Sequence, residues 1–395
     1  MSLAFALFAI GGSLWQGAIP ILATDVFALS IFQAGLLIAF TGVIYIVTDA
    51  PIGVLVDRIG CRNGAFLGVG CAVFTSLLAL LTHNIAAFLA GIVFFSLAWN
   101  MMTISTAAYI LRTTGKDVSG QMFGIQGSFA VLGGVVGAFA VGHVSSGGLR
   151  YSGMAFLLTA LASATVLLFI ESDRRLASEP PAKWKWFQWH LGLEAMKDFA
   201  PVSWVAALNG FMNYTFGSAI WLVIPLSLAK LSNNLVPEGT ALGVFQFSGI
   251  VTIFAGGYLA DRYSRKGLFS ILLLAEAACV LALGSIDNIF LFFALALLAT
   301  SAIDAAEPVL SSMLSDVNQG KNNEGALEGF SGTFSDFGFI AGPLLGSALL
   351  KVFGLGSVFL ALGSLMLLNF LLARWLLRGF TLGKPRAYDT KQYRP

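Results

Sequence analysis

Gly53-Val54-Leu55-Val56-Asp57-Arg58-Ile59-Gly60-Cys61-Arg62 closes one long apolar run and opens another. The pattern returns 204 residues later as Gly257-Tyr258-Leu259-Ala260-Asp261-Arg262-Tyr263-Ser264-Arg265-Lys266, again between two apolar runs. Outward from these two turns, the chain of 395 residues reads as two related halves in tandem. Many proteins that move solutes across bilayers are built from such internal repeats.

Composition narrows the class. Hydrophobic residues make up 57% of the chain and charged residues 11%, against about 25% charged in soluble domains. Mean hydropathy is +0.84, so a water-soluble domain is excluded. A net charge of +2 gives no basis for a nucleic-acid partner. Cys61, Cys71 and Cys279 lack metal-ligand spacing and form no disulfide framework. With His83, His143 and His190 equally scattered, neither a metal nor another cofactor is expected. The apolar run from Leu3 has no preceding Lys or Arg and no cleavage signature, so it is read as a first membrane span and not as a leader.

A span needs roughly 17–25 mostly apolar residues. Breaks at charges and turn residues predict twelve: 2–24, 30–56, 64–83, 85–110, 120–143 and 149–171, then 200–229, 239–260, 267–286, 288–314, 325–351 and 354–377. The fold class is therefore all-α integral membrane, with two pseudo-symmetric six-helix bundles. With both termini cytoplasmic, 19 of the 22 Lys and Arg fall on the inner side, leaving Arg150, Lys230 and Lys351 outside. Membrane proteins carry a bias of this sign. The bundles are assigned to 1–171 and 200–377, and the tail at 378–395 is cytoplasmic. The linker at 172–199 is expected to be cytoplasmic and interfacial, because Lys183-Trp184-Lys185-Trp186-Phe187-Gln188-Trp189 alternates cations with tryptophans suited to the headgroup level.

The repeated turn resembles the signature between the second and third helices of the major facilitator superfamily, Gly-x-Leu-x-Asp-Arg-x-Gly-x-Arg/Lys. Gly53, Leu55, Asp57, Arg58, Gly60 and Arg62 match every fixed position, and Gly257, Leu259, Asp261, Arg262 and Lys266 repeat it with Ser264 for the second glycine. Gly133-Gly134-Val135-Val136-Gly137 and Gly342-Pro343-Leu344-Leu345-Gly346 are similar to a second signature, from proton-coupled exporters of drugs and metabolites. The resemblance implies the twelve-helix fold, alternating access, and a gate in which Asp57 latches onto the start of the eleventh helix while Arg58 and Arg62 complete a charge cluster. Glycines at small-xxx-small spacing (Gly133/Gly137, Gly134/Ala138, Gly342/Gly346) are assigned to helix packing.

Five carboxylates fall inside the predicted spans, Asp49, Glu276, Asp304, Glu307 and Asp336, and no Lys or Arg lies deep in any of them. A charge at the bilayer centre costs roughly 2.5–3.5 kcal/mol on insertion scales, so each acid is a functional candidate. Asp304 and Glu307 share a helix face just before Pro308 and are the first choice for binding a proton or cation. Asp49 and Asp336 lie on the second and eleventh spans, which the resemblance packs together, so the two acids are expected to approach and share a proton. Glu276 is expected to be a buried, hydrogen-bonded group.

The remaining polar and aromatic groups of the cavity-lining spans are candidates for a substrate pocket. In the first half they are Trp15, Gln16, Trp99, Asn100 and Tyr109; in the second, Asn209, Asn213, Tyr214, Trp221 and Gln246. An acidic, cation-free interior favours protons or a cationic substrate. The expected function is secondary transport, as proton-coupled export of an amphipathic or cationic small molecule by a monomer in a prokaryotic plasma membrane. The fourth span has no arginine where the exporters carry one, which keeps a uniporter, or a proton symporter for a neutral metabolite, as the alternative. A polytopic enzyme lacks its catalytic constellation here, and a primary pump lacks its phosphate-binding loop.

Overall fold

The computed structural model describes residues 1–81, 84–113, 119–171, 200–231, 238–286, 288–318 and 324–380. The interfacial linker, the tail beyond residue 380 and the side chains of Asp57, Arg58 and Asp261 lie outside the described residues.

A backbone in hydrocarbon must satisfy its own hydrogen bonds, and long helices do so. The first half comprises α1 (Ser2–Ile21), α2 (Ile31–Ile59), α3 (Cys61–Leu81), α4 (Ile85–Thr113), α5 (Ser119–Ser145) and α6 (Gly148–Leu168). The second comprises α7 (Pro201–Leu231), α8 (Glu238–Phe247), α9 (Gly249–Arg262), α10 (Arg265–Leu283), α11 (Ile289–Asn318), α12 (Glu324–Phe353) and α13 (Leu355–Leu376). Together α8 and α9 make the eighth of twelve spans among the described residues. Of these, eleven are long and apolar enough to cross a membrane by length and composition. The remaining one, α7, has 31 residues and carries Asn209, Asn213 and Tyr214 in its middle.

Within the span expected over 239–260, Ser248 joins α8 to α9 while keeping a helical conformation, φ −59° and ψ −37°. Its carbonyl accepts from both Val251 N–H (3.1 Å) and Thr252 N–H (3.0 Å).

Local chemistry explains several boundaries. Ser30 and Gln33 form a reciprocal capping box at the start of α2, with bonds of 2.8 and 3.3 Å. Gly60 ends α2 at φ 88°, a conformation that a side chain disfavours. The repeat turns differently: Tyr263 is extended, and Ser264 at φ −59° caps α10 by accepting from Gly267 N–H. Serine replaces glycine in the second copy because that turn never needs the left-handed region.

The halves repeat each other in packing. A β-carbon on Gly133 or Gly137 of α5 would collide with the Ala6 or Ile10 carbonyl of α1. Gly338 and Gly342 of α12 stand in the same relation to Phe211 and Thr215 of α7, and all four positions are offset by 205 residues. The expected glycine contact thus forms in both halves, shifted by one turn in the second, where Gly338 and Gly342 meet the carbonyls and Gly346 faces side chains. Small residues let backbones meet where lipid offers no hydrophobic drive for association.

Two antiparallel seams join the halves, α2 against α12 and α5 against α8 and α9. Both are tight at the end of the molecule opposite the repeated turns. On the first seam, a β-carbon at Gly35 would lie 2.6 Å from the Ser347 hydroxyl, and one at Gly42 would lie 2.8 Å from Ile340. The Tyr45 and Phe339 rings then meet edge-on at 5.5 Å. Further along, Gly53 of α2 and Gly332 of α12 have no neighbour within 4 Å among the described residues. On the second seam Gly243 faces Phe139 and Gly249 faces Val131, whereas Gly127 meets nothing. Among the described residues, the halves are therefore closed at one end and parted towards the end that bears the repeated turns.

Candidate functional site

The two helices of the first seam part just beyond Asp49 and Asp336, and these carboxyl groups face each other across it within reach of a hydrogen bond. Two ionised carboxylates have only acceptors, so a hydrogen bond between them would need a proton. Asp49 also accepts from the Asn100 amide of α4. The same amide nitrogen reaches Thr48 Oγ1 at 3.1 Å, and the Thr48 hydroxyl donates to the Ile44 carbonyl at 2.7 Å. The pair thus lies between the halves, braced from the first by α4.

Tyr214 is half exposed although it sits in the middle of α7. It lies within electrostatic reach of Asp49, Asp336 and Glu307, from α2, α12 and α11, so its exposure is to the space between the halves. Asp304, one turn before Glu307, accepts from Ser248 Oγ at 3.1 Å, and Ser248 is also 2.8 Å from Thr300 Oγ1. This network stands at the junction of α8 and α9, next to Gly249, beyond which the second seam parts. Each seam therefore ends at a carboxylate. Asn100 and Asp304 are 204 residues apart, the offset of the repeated turn, so the same place holds an amide in one half and an acid in the other.

Other candidates lie elsewhere. Trp15 is buried and stacks on Phe156, and Trp99 packs against Phe5, Phe8 and Phe95, in the aromatic core of the first half. Asn209 is buried and accepts from Asn369 of α13 at 2.8 Å, tying two helices of its own half. Tyr109 packs beside Ile52, Val56 and Cys61. Gln16 is buried on α1, Trp221 is half buried beside Gly17, and Asn213 is half buried on α7. Gln246 touches Gly134 at the closed end of the second seam. Glu276 is fully buried, but neither oxygen has a hydrogen-bond partner among the described residues, which corrects the expectation of a bonded group.

In the repeated turns, Arg62 donates to the Leu167 and Leu168 carbonyls at 3.1 and 3.2 Å, the end of α6. Lys266 does the same at the end of α13, on the Leu377 and Phe380 carbonyls. Arg262 lies over the Tyr258 ring, 4.3 Å from its centroid. The sequence reading missed Tyr45, Thr48, Ser248 and Thr300. Tyr45 and Thr48 were open to discovery, being one turn before Asp49 and adjacent to it; the hydroxyls of Ser248 and Thr300 look like any others in an apolar helix. Among the described residues no group of three or more His, Cys, Asp or Glu could hold a metal.

Comparison with known proteins agrees with this architecture. Multidrug resistance protein 2 of Bacillus subtilis (strain 168) is 22% identical over 330 residues, 80% of this chain and 79% of that protein. Multidrug resistance protein MdtG of Dickeya zeae (strain Ech586) is 28% identical over 197 residues, 46% of this chain and 47% of that protein. Among solved structures, the nucleoside transporter NupG superposes with a TM-score of 0.71 at 17% identity, covering 96% of this chain and 98% of NupG. A bacterial homolog of the human lysosomal transporter Spinster, solved inward-facing and unoccupied, gives a TM-score of 0.69 at 17% identity, covering 97% and 98%. The Major Facilitator Superfamily profile matches twice, over residues 1–208 and 206–392. This chain belongs to the Major Facilitator Superfamily, a family of membrane transporters and not of enzymes.

Proposed function

We propose that the chain is a proton-coupled exporter of amphipathic or cationic small molecules, working by alternating access as a monomer in a prokaryotic plasma membrane. The observation that carries this reading is the facing of Asp49 and Asp336 across the first seam, with the Asn100 amide on Asp49. A proton there holds the seam; its loss leaves like charges in contact and drives the helices apart. Asp304 and Glu307 line the same space and supply negative charge for a cation, with Tyr214 offering an aromatic face. The basic loops support an orientation with both termini cytoplasmic, so the parted end faces the cytoplasm. The multidrug names of the relatives support the substrate class.

Proteoliposomes test the proposal with tetraphenylphosphonium as the probe cation. An opposing proton gradient is expected to drive its uphill accumulation, and Asp336→Asn to abolish the driven component. Accumulation that ignores the gradient in the native protein would refute coupling. The alternative, a uniporter or a proton symporter for a neutral metabolite, is favoured by Asn100, which stands in a fourth span free of arginine. It predicts no response to the cation at all.

A further inference from the structure

The acid pair is not symmetric. Asp49 has a donor aimed at it from its own half, the Asn100 amide, whereas Asp336 receives no hydrogen bond from any donor among the described residues other than through Asp49. The orientation of that amide is fixed by its second partner. Thr48 spends its only hydroxyl proton on the Ile44 carbonyl at 2.7 Å, so towards Asn100 it can only accept, and the nitrogen of the amide must face it. The same nitrogen then points at Asp49.

Resting on the reading of this pair as the coupling site, we infer that Asn100 is a positioning residue that assigns unequal roles, with Asp336 carrying the proton and Asp49 accepting the hydrogen bond. An amide N–H is best satisfied by a carboxylate oxygen that only accepts. The O–H of the pair therefore belongs to Asp336 and donates to Asp49. When that bond breaks, the proton passes from Asp336 to water in the parted end, both carboxylates are charged, and the seam loses its bridge. The proton travels with α12 and the second half, and Asp49 stays tethered to α4 within the first.

The other titratable groups facing the pair are few. Tyr45 of α2 and Tyr214 of α7 lie within electrostatic reach of both carboxyls, and Glu307 of α11 reaches Tyr214. No Lys or Arg from a described part of α2, α4, α7 or α12 faces them within the membrane. The proton's place is thus decided by the local donor and not by a distant cation.

Infrared difference spectra of the purified protein, acid minus alkaline, test the assignment without any substrate. Asp336→Asn is expected to remove one protonated-carboxyl C=O band, and Asp49→Asn to retain it at a shifted frequency. Asn100→Ala leaves both carboxyls in the chain but removes the donor on Asp49; it should move the midpoint of that band along the pH axis. Loss of the band in Asp49→Asn with retention in Asp336→Asn would overturn the assignment, as would equal loss in both or an unmoved midpoint in Asn100→Ala. If neither Asp→Asn variant changes the spectrum, the pair holds no proton and the coupling reading itself falls.

Discussion

Arg62 and Lys266 show how much a repeated residue can mean beyond topology. Each lies in the first turn of a helix and ties it to the carbonyl end of the last helix of its half. A cation there also meets the negative end of the helix dipole. The family resemblance implied a gate charge for Arg62, and nothing in the spacing says which helix end lies beside it. The acids were more legible, since a carboxylate inside an apolar run is costly wherever it points. Their partners were not, because Thr48 and Asn100 acquire meaning only through contact across helices. At this scale Lys266→Ala should cost about 1 kcal/mol, the net worth of a hydrogen-bonded charge at a partly wetted site, read as a lower apparent Tm in detergent. Lys266→Arg should restore it, and transport of the probe cation by folded Lys266→Ala protein should remain near native.

Among the elements, the pairs α1·α5 and α7·α12 have the closest backbone contacts. Their glycines sit on carbonyls, so any side chain pushes two helices apart. Overpacking of this kind typically costs about 1–3 kcal/mol. Gly137→Ala and Gly342→Ala should both destabilise the protein in thermal or denaturant unfolding, whereas Gly332→Ala, with nothing within 4 Å, should be neutral. Equal effects at all three positions would mean that the contacts do not hold these pairs. Sequence pattern found the motif but misplaced its register in the second half: Gly338, Gly342 and Gly346 are all four apart, and spacing alone does not choose between adjacent pairs.

For the molecule as a whole, helix count and the tandem halves could be read from hydropathy and the repeated turn, because lipid forces the backbone into helices of a set length. The conformation could not, since closed and parted seams use the same residues. Alternating access makes a geometric prediction about those seams. Cysteines placed at Gly35 and Ser347 should cross-link in the conformation described here, and cysteines at Gly53 and Gly332 only when the opposite end closes. Addition of tetraphenylphosphonium together with a proton gradient should change the ratio of the two products, and either cross-link should halt transport. Simultaneous full cross-linking at both ends of one molecule would show that the halves do not rock.

The polar middle of α7 has a bearing on how the chain is made. Asn209, Asn213 and Tyr214 lie at mid-depth in this segment, and the helix that packs on it most, α12, is translated more than 90 residues later. During biogenesis those polar groups therefore lack their main cover until the eleventh span arrives. The second half is then completed in one late step, and nascent chains that stop short of α12 are the ones quality-control proteases should recognise.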